Sequence, residues 1–502
     1  MKIINSGIIH PYMLGIFPIF LIFTNNLAEI SLNSLLLPIV IIFGTISISL
    51  FILIKISKNT QKATLTISLL LFLVFSIGYV RMGLGGFEIS NFALDQPKFL
   101  IVIYFLIFIL GLFCIYKIKD WSKPTQIISV VSIVVIISFI PTIVLDVTGN
   151  EVNTNDFYMK IEFNTLERPN IYFIILDGYA NEKSLKNNFG FNNSEFLNYL
   201  KNLGFIIPEK NFSNYDSTRM SMNSVLNMNY LHHQQGFNED NIILQKYLFS
   251  NNVVMKTFQD NNYNTIFIDG GAGMRDMKAS NKILCHQTDN SLLQTLMDTS
   301  MFTYIAQGFF WDSWDTIRTC GYSELEKIQE NTSEPFFVYA HIRSPHEPFL
   351  RDANGNLTRY EEKTEELDEK TSNERYIYQL KHTNERISKI ITKIISSDPE
   401  SVIILSSDHG QNYFLSVPPT DEELIQLFSN FEAFYLPNID DYEPYQIITP
   451  VNVFRNIFND YFETDLEILD DKIFFMPRDE FNNPNAMMGQ IEISNIFFSE
   501  ND

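Results

Sequence analysis

Four uncharged apolar stretches, Leu32 to Ile54, Ala63 to Val80, Phe99 to Tyr116 and Thr125 to Leu145, fill most of the first 145 residues of this chain. Each is close to the ~20 residues an α-helix needs to cross the hydrocarbon core of a bilayer. Inside lipid every backbone N–H and C=O must bond within its own segment, so such stretches are confined to helix. A fifth segment, Ile9 to Ala28, is apolar but carries His10, Pro11, Pro18 and the pair Asn25-Asn26. It is counted as a span, giving about five. It lacks a small-residue cleavage pattern and further spans follow it, so it reads as an anchor and not as a cleaved signal.

Lysines mark alternate connections: Lys2, then Lys55, Lys58 and Lys62, then Lys117, Lys119 and Lys123. The positive-inside rule puts these on the cytoplasmic side. Five spans then leave the amino terminus inside and everything after Leu145 outside, as in a multi-pass protein of the cell membrane with an extracytoplasmic domain. Residues 1–145 hold nine of the 36 Lys+Arg and four of the 58 Asp+Glu, so the remainder carries 27 bases against 54 acids. That remainder lacks the basic footprint a nucleic-acid partner requires and the polybasic patch that docks on anionic lipid. Of the three cysteines, Cys114 lies in a span, whereas Cys285 and Cys320 are free to pair in an oxidising compartment. The expected organisation is a membrane anchor over 1–146, a polar linker over 147–168 and an outer globular domain over 169–502.

The apolar runs of the outer domain are short and rich in β-branched and aromatic residues: Ile171 to Leu176, Thr265 to Ile268, Phe336 to Ala340 and Val402 to Leu405. Between them lie helical patterns at Ser194 to Leu203, Arg219 to Leu226, Ile242 to Asp260 and Asn373 to Ser396. Continuous apolar strands alternating with helices predict an α/β domain, a mostly parallel sheet flanked by helices on both faces. Its chemistry is expected where strands end, because ligands of open α/β sheets collect at the carboxyl ends of the strands.

Two strands end in acidic turns, one at Asp177-Gly178 and one at Asp408-His409-Gly410, and Thr218 opens a helical pattern between them. Asp177, Asp408, His409 and the Thr218 hydroxyl form an oxygen and imidazole donor set for one divalent metal ion: zinc, manganese or magnesium. Such a metal lowers the pKa of the hydroxyl, which makes Thr218 a nucleophile. As the cap of its helix, Thr218 would also sit where backbone N–H groups receive an anion. A third strand leads to His341 and His346, which suit contact with phosphate oxygens, proton transfer or a second metal.

The runs Asn170-Ile171-Tyr172-Phe173-Ile174-Ile175-Leu176-Asp177-Gly178-Tyr179, Thr218 with Ser221 and Ser224, Leu226-Asn227-Met228-Asn229-Tyr230-Leu231, and Ser407-Asp408-His409-Gly410 together resemble the alkaline phosphatase superfamily. Within it the chain is similar to sulfatase-like membrane proteins related to lipoteichoic acid synthases and phosphoethanolamine transferases, over most of 169–460. Pro345-His346-Glu347-Pro348-Phe349 resembles the histidine-containing substrate loop of that group. The resemblance implies that Asp177, Asp408 and His409 bind metal, that Thr218 is nucleophile and ligand, and that His346, with His341 beside it, meets the substrate. Two departures stand out. The transferases carry Glu where this chain has Asp177, and none of the three cysteines has the Cys/Ser-x-Pro-x-Arg context from which sulfatases make formylglycine.

The expected function is therefore a membrane-anchored transferase that moves a phosphoglycerol- or phosphoethanolamine-class substituent onto a cell-surface glycan or lipid through a threonine intermediate. A phosphodiesterase or sulfatase-like hydrolase is the alternative within enzymes, and an inactive membrane-bound binding protein the alternative outside them.

Overall fold

In the computed structural model the described residues are 7–25, 32–84, 88–89, 92–93, 97–148, 160–231, 242–271, 277–285, 291–358, 367–411, 415–416, 418–439, 445, 447–476, 478–479, 483–487 and 490–498. The chain divides into two compact units, Met1–Asn150 with Thr288–Phe310, and Glu151–Gln287 with Trp311–Asp502.

The first unit is helical: α1 (Ile9–Asn25), α2 (Leu36–Ser57), α3 (Thr60–Leu84), α4 (Pro97–Lys117) and α5 (Ser122–Thr148). Four of these, α2 to α5, are long and apolar enough to cross a membrane. Their outward faces keep large apolar side chains such as Leu36, Phe51, Val102, Leu110 and Val134 exposed, a surface that suits lipid. With 17 residues, α1 rises only about 25 Å, a few ångströms short of a ~30 Å hydrocarbon core. Its inner face, Ile19, Ile22 and Phe23, packs with Ile42, Ile46 and Ile67.

The second unit is built on a six-stranded sheet of β1 (Ile171–Leu176), β2 (Asn264–Gly270), β3 (Asn281–Leu284), β4 (Phe336–Ile342), β5 (Val402–Ser406) and β6 (Glu432–Tyr435), in the order β3-β2-β4-β1-β5-β6. All neighbours are parallel except β5 and β6. This is the α/β architecture that the strand pattern predicts. Every residue of β1 is buried because both faces are covered. Tyr172, Ile174 and Leu176 enter one core cluster, and Ile171, Phe173 and Ile175 enter the other. The first face is covered by the long helix Glu369–Ser397, whose Tyr376, Leu380, Ile387 and Ile391 are buried there. The second is covered in part by the helix Thr218–Asn227, through Met222, Val225 and Leu226.

Three local readings of the sequence need correction. The single helix expected over Ile242 to Asp260 is two, Ile242–Ser250 and Val253–Asp260, because the Asn252 side chain accepts a hydrogen bond from Met255 N at 2.9 Å and starts a new helix. The segment expected as a linker lies partly outside the described residues, at 149–159, but its carboxyl end is packed: Ile161 and Phe163 are buried, and Phe163 stacks on Phe462 with ring centroids 3.8 Å apart. Finally, Thr288–Phe310, expected in the outer domain, belongs to the first unit, where Leu292 and Leu296 of the helix Ser291–Asp298 are buried with Ile19, Ile22 and Phe23. That helix turns an amphipathic face to an apolar neighbour, which local sequence does not name.

Candidate metal centre and active site

Strand register places the chemistry. Ile175 of β1 lies level with His341 of β4 on one side and with Ser406 of β5 on the other, so Asp177, His341 and Asp408 emerge at one end of the sheet. Asp177 then enters a turn in which Gly178 takes φ +68°, a left-handed conformation that strains residues with a Cβ. Gly410 is needed for a different reason. A Cβ there would come within 2.5 to 2.8 Å of the carbonyl oxygens of Gln426, Leu427 and Ser429.

The six residues singled out from sequence lie in one cluster. Thr218 Oγ1 donates to Asp408 Oδ2 at 2.5 Å and lies 3.5 Å from His409 Nε2. His409 Nε2 is 3.5 Å from Asp408 Oδ2 and 3.8 Å from Asp177 Oδ1. His341 Nε2 is 3.6 Å from Asp177 Oδ2, and the His346 ring is 6.2 Å from that of His409. Two sets, Asp177-His346-His409 and Asp177-His341-Asp408, have potential ligand atoms all within 4.8 Å of one another. Asp177 belongs to both.

Hydrogen bonds orient these groups. Asp408 Oδ1 accepts from the backbone N–H of Gly178 at 3.0 Å and of His409 at 3.1 Å, which ties the two acidic turns together. His409 Nδ1 donates to the carbonyl of Gly410 at 2.6 Å, and His346 Nδ1 to that of Glu347 at 3.1 Å. Since a carbonyl only accepts, both protons sit on Nδ1 and leave Nε2 as the electron-pair donor, the arrangement common to metal-ligating histidines. His341 Nδ1 is paired with the Tyr339 hydroxyl at 2.9 Å.

Charges are concentrated here among buried side chains. Asp177 is 4 % exposed and Asp408 1 %. Burial works against the charge of Asp177, yet the imidazoles of His346, His341 and His409 hold its carboxyl well below the usual carboxylate range. Burial likewise works to lower His409, but Asp408 and Asp177 outweigh it and raise the imidazole. For His346 burial wins over the attraction of Asp177, and its pKa is lowered.

These residues fit a divalent cation. Asp177 Oδ1 and His341 Nε2 are buried without a hydrogen-bond partner, beside a second buried carboxylate. Unpaired buried polar atoms and adjacent like charges are costly, and a cation compensates both. Carboxylate and imidazole donors without a thiolate match zinc, manganese or magnesium.

One expectation changes. Thr218 is the first residue of its helix and Ser217 the cap residue, so the Thr218 hydroxyl is committed to Asp408 and not to capping. The sequence reading also missed two residues. Tyr376 accepts from Ala180 N and donates to Gly178 O, both at 3.0 Å, and thereby supports the Asp177 turn from the long helix. Gln411 lies against Gly178 and is 2 % exposed; its place directly after Asp408-His409-Gly410 was the available signal.

Among solved structures, the C-terminal periplasmic domain of EcEptC from Escherichia coli, in complex with Zn, is similar with a TM-score of 0.43 and 10% identity, covering 66% of this chain and 96% of that one. The C-terminal periplasmic domain of the phosphoethanolamine transferase EptC from Campylobacter jejuni gives 0.41 and 13%, over 61% and 92% of the two chains. The soluble domain of lipooligosaccharide phosphoethanolamine transferase A from Neisseria meningitidis gives 0.37 and 12%, over 55% and 79%. No curated protein matches the chain. The family model described as Sulfatase matches residues 169–421, just over half of the 502 residues and a stretch that holds Asp177, Thr218, His341, His346, Asp408 and His409. The chain therefore belongs to the sulfatase family of enzymes.

Proposed function

We propose that this protein is a membrane-anchored, divalent-metal-dependent transferase. It moves a phospho-substituent of the phosphoglycerol or phosphoethanolamine class onto a cell-surface glycan or lipid, through a covalent adduct on Thr218. The observation that carries this reading is the Thr218 hydroxyl at the head of its helix, 2.5 Å from Asp408 Oδ2 and 3.5 Å from His409 Nε2. Sulfate ester hydrolysis is less favoured because the cysteines lack the context for formylglycine.

Asp177, Asp408, His409 and Thr218 would hold one metal ion, which when bound neutralises phosphate charge and makes the hydroxyl more acidic. Thr218 passes its proton to Asp408 and its oxygen bonds phosphorus. The departing alcohol oxygen takes the electron pair of the broken P–O bond and a proton from solvent. In the second half the acceptor hydroxyl gives its proton to the unprotonated Nε2 of His346, which releases it to solvent, and attacks the adduct; the bond from phosphorus to Thr218 Oγ1 breaks, and Thr218 recovers its proton from Asp408. The first N–H groups of the Thr218 helix favour the phosphate anion, and the His341 imidazole stands beside Asp177, with Nε2 3.6 Å from Oδ2.

The lysine-bearing connections support placing the second unit outside the cell, with α1 as a fifth span. The bond between Cys285 and Cys320 fits an oxidising compartment. A site tethered to the membrane meets lipid donors and surface acceptors by lateral diffusion. The test is turnover by the full chain in vesicles of phosphodiester, phosphomonoester and sulfate-ester surrogates, with Thr218→Ala as control. Turnover of diesters, lost in the variant, is the expected result; preference for sulfate esters, or activity that survives Thr218→Ala, overturns the proposal.

A further inference from the structure

His346 reaches the cluster from an irregular segment, Arg343 to Pro348, that follows β4. Its backbone is held on both sides of the Cα. Its N–H donates to the carbonyl of Asp177 at 3.0 Å, and its carbonyl accepts from Nη2 of Arg318 at 2.5 Å. The same guanidinium donates through Nε to the carbonyl of Arg343 at 2.5 Å and through Nη1 to that of Pro348 at 2.8 Å. Arg318 is 3 % exposed and lies on the helix Thr303–Asn331, two residues before Cys320, whose disulfide to Cys285 ties that helix to the segment after β3. Trp314 of the same helix lies under the Arg343 guanidinium, 4.8 Å away. Nothing in the catalytic proposal uses these groups.

We infer that Arg318 is a positioning residue: its planar fork gathers three main-chain carbonyls of the substrate loop and so sets where the His346 imidazole stands relative to Asp177 and His409. A guanidinium presents five N–H donors in a fixed plane, which suits three carbonyls that converge from one loop; an ammonium on a flexible stem does not reproduce that geometry. Burying a charge is costly unless its donors are satisfied, so the loop is held to the conformation that satisfies them. This inference rests on the proposed role of His346.

The test is a double-mutant cycle in the full-length, metal-loaded protein, combining Arg318→Ala with His346→Ala. Displacing a positioned group by about 1 Å costs on the order of 100-fold, so Arg318→Ala is expected to lower kcat/KM by roughly that factor with bound metal unchanged. The double variant should fall no further than His346→Ala alone, because residues that act as one unit are not additive. Arg318→Lys should recover part of the loss, and it carries the test if the alanine variant does not fold. Independent of turnover, diethyl pyrocarbonate labelling read by peptide mass should show His346 more reactive in both Arg318 variants and His409 unchanged. Additive losses, or His346 labelling equal to wild type, overturn the inference. Absence of turnover in the wild type instead overturns the functional reading and leaves the labelling to decide the role of Arg318.

Discussion

Replacing Glu432 with glutamine should stabilise the protein at neutral and alkaline pH and change little under mild acid. Glu432 sits fully buried on β6, where one carboxyl oxygen accepts from Ser406 Oγ at 2.7 Å and from Asn430 Nδ2 at 3.0 Å while the other has no partner. Burial pushes its pKa from the usual 4.5 up to about 8, against the pull of those two hydrogen bonds. With the folded value above the unfolded one, stability is fully present below about pH 4.5 and is lost as pH rises through about 8. At ~1.4 kcal/mol per unit the loss approaches roughly 5 kcal/mol above that range, of which about 3 kcal/mol is gone by pH 7. Glutamine keeps an acceptor for Ser406 and Asn430 and cannot ionise, so its own effect is the same at every pH. Thermal unfolding in detergent between about pH 4.5 and 8.5 checks this, with a gap between variant and wild type that opens by roughly 6 to 12 °C at pH 7. A gap that stays constant across the range would refute the reasoning.

Further outcomes are expected. Removal of the disulfide by Cys285→Ser with Cys320→Ser, whose partners are 35 residues apart, should cost about 3–4 kcal/mol by loop-entropy reasoning, read as a lower unfolding midpoint; an unchanged midpoint contradicts it. Asn252→Ala deletes the cap on Met255 N and should cost about 1 kcal/mol, without loss of activity once folded. Chelation should abolish turnover, and one of zinc, manganese or magnesium should restore it; full activity in demonstrably metal-free protein would exclude the proposed centre.

The interior strands were legible because burial on both faces demands unbroken apolar runs, as in Ile171 to Leu176 and Val402 to Leu405. The edge strands were not. Asn281–Leu284 is only four residues long, largely exposed and half polar, and Glu432–Tyr435 begins with a carboxylate that only its tertiary neighbours explain. The helix Thr303–Asn331 contains two glycines and scattered aromatics without a clean period, so local pattern did not announce it. The candidate site was more legible than the fold around it, since acidic turns directly after core strands are conspicuous. What stayed hidden was direction: that Thr218 turns its hydroxyl to Asp408 instead of capping, and that Tyr376, distant in sequence, supports the Asp177 turn. Contacts between residues some 190 positions apart leave no local trace.

The most direct test of the account is the mass of the Thr218 peptide from metal-loaded protein quenched during turnover of a phosphodiester surrogate. A gain equal to the transferred phospho-substituent, located on Thr218 and absent from Thr218→Ala, is the predicted result. Turnover with an unmodified Thr218 peptide at every quench time, or with the adduct on another residue, would contradict it.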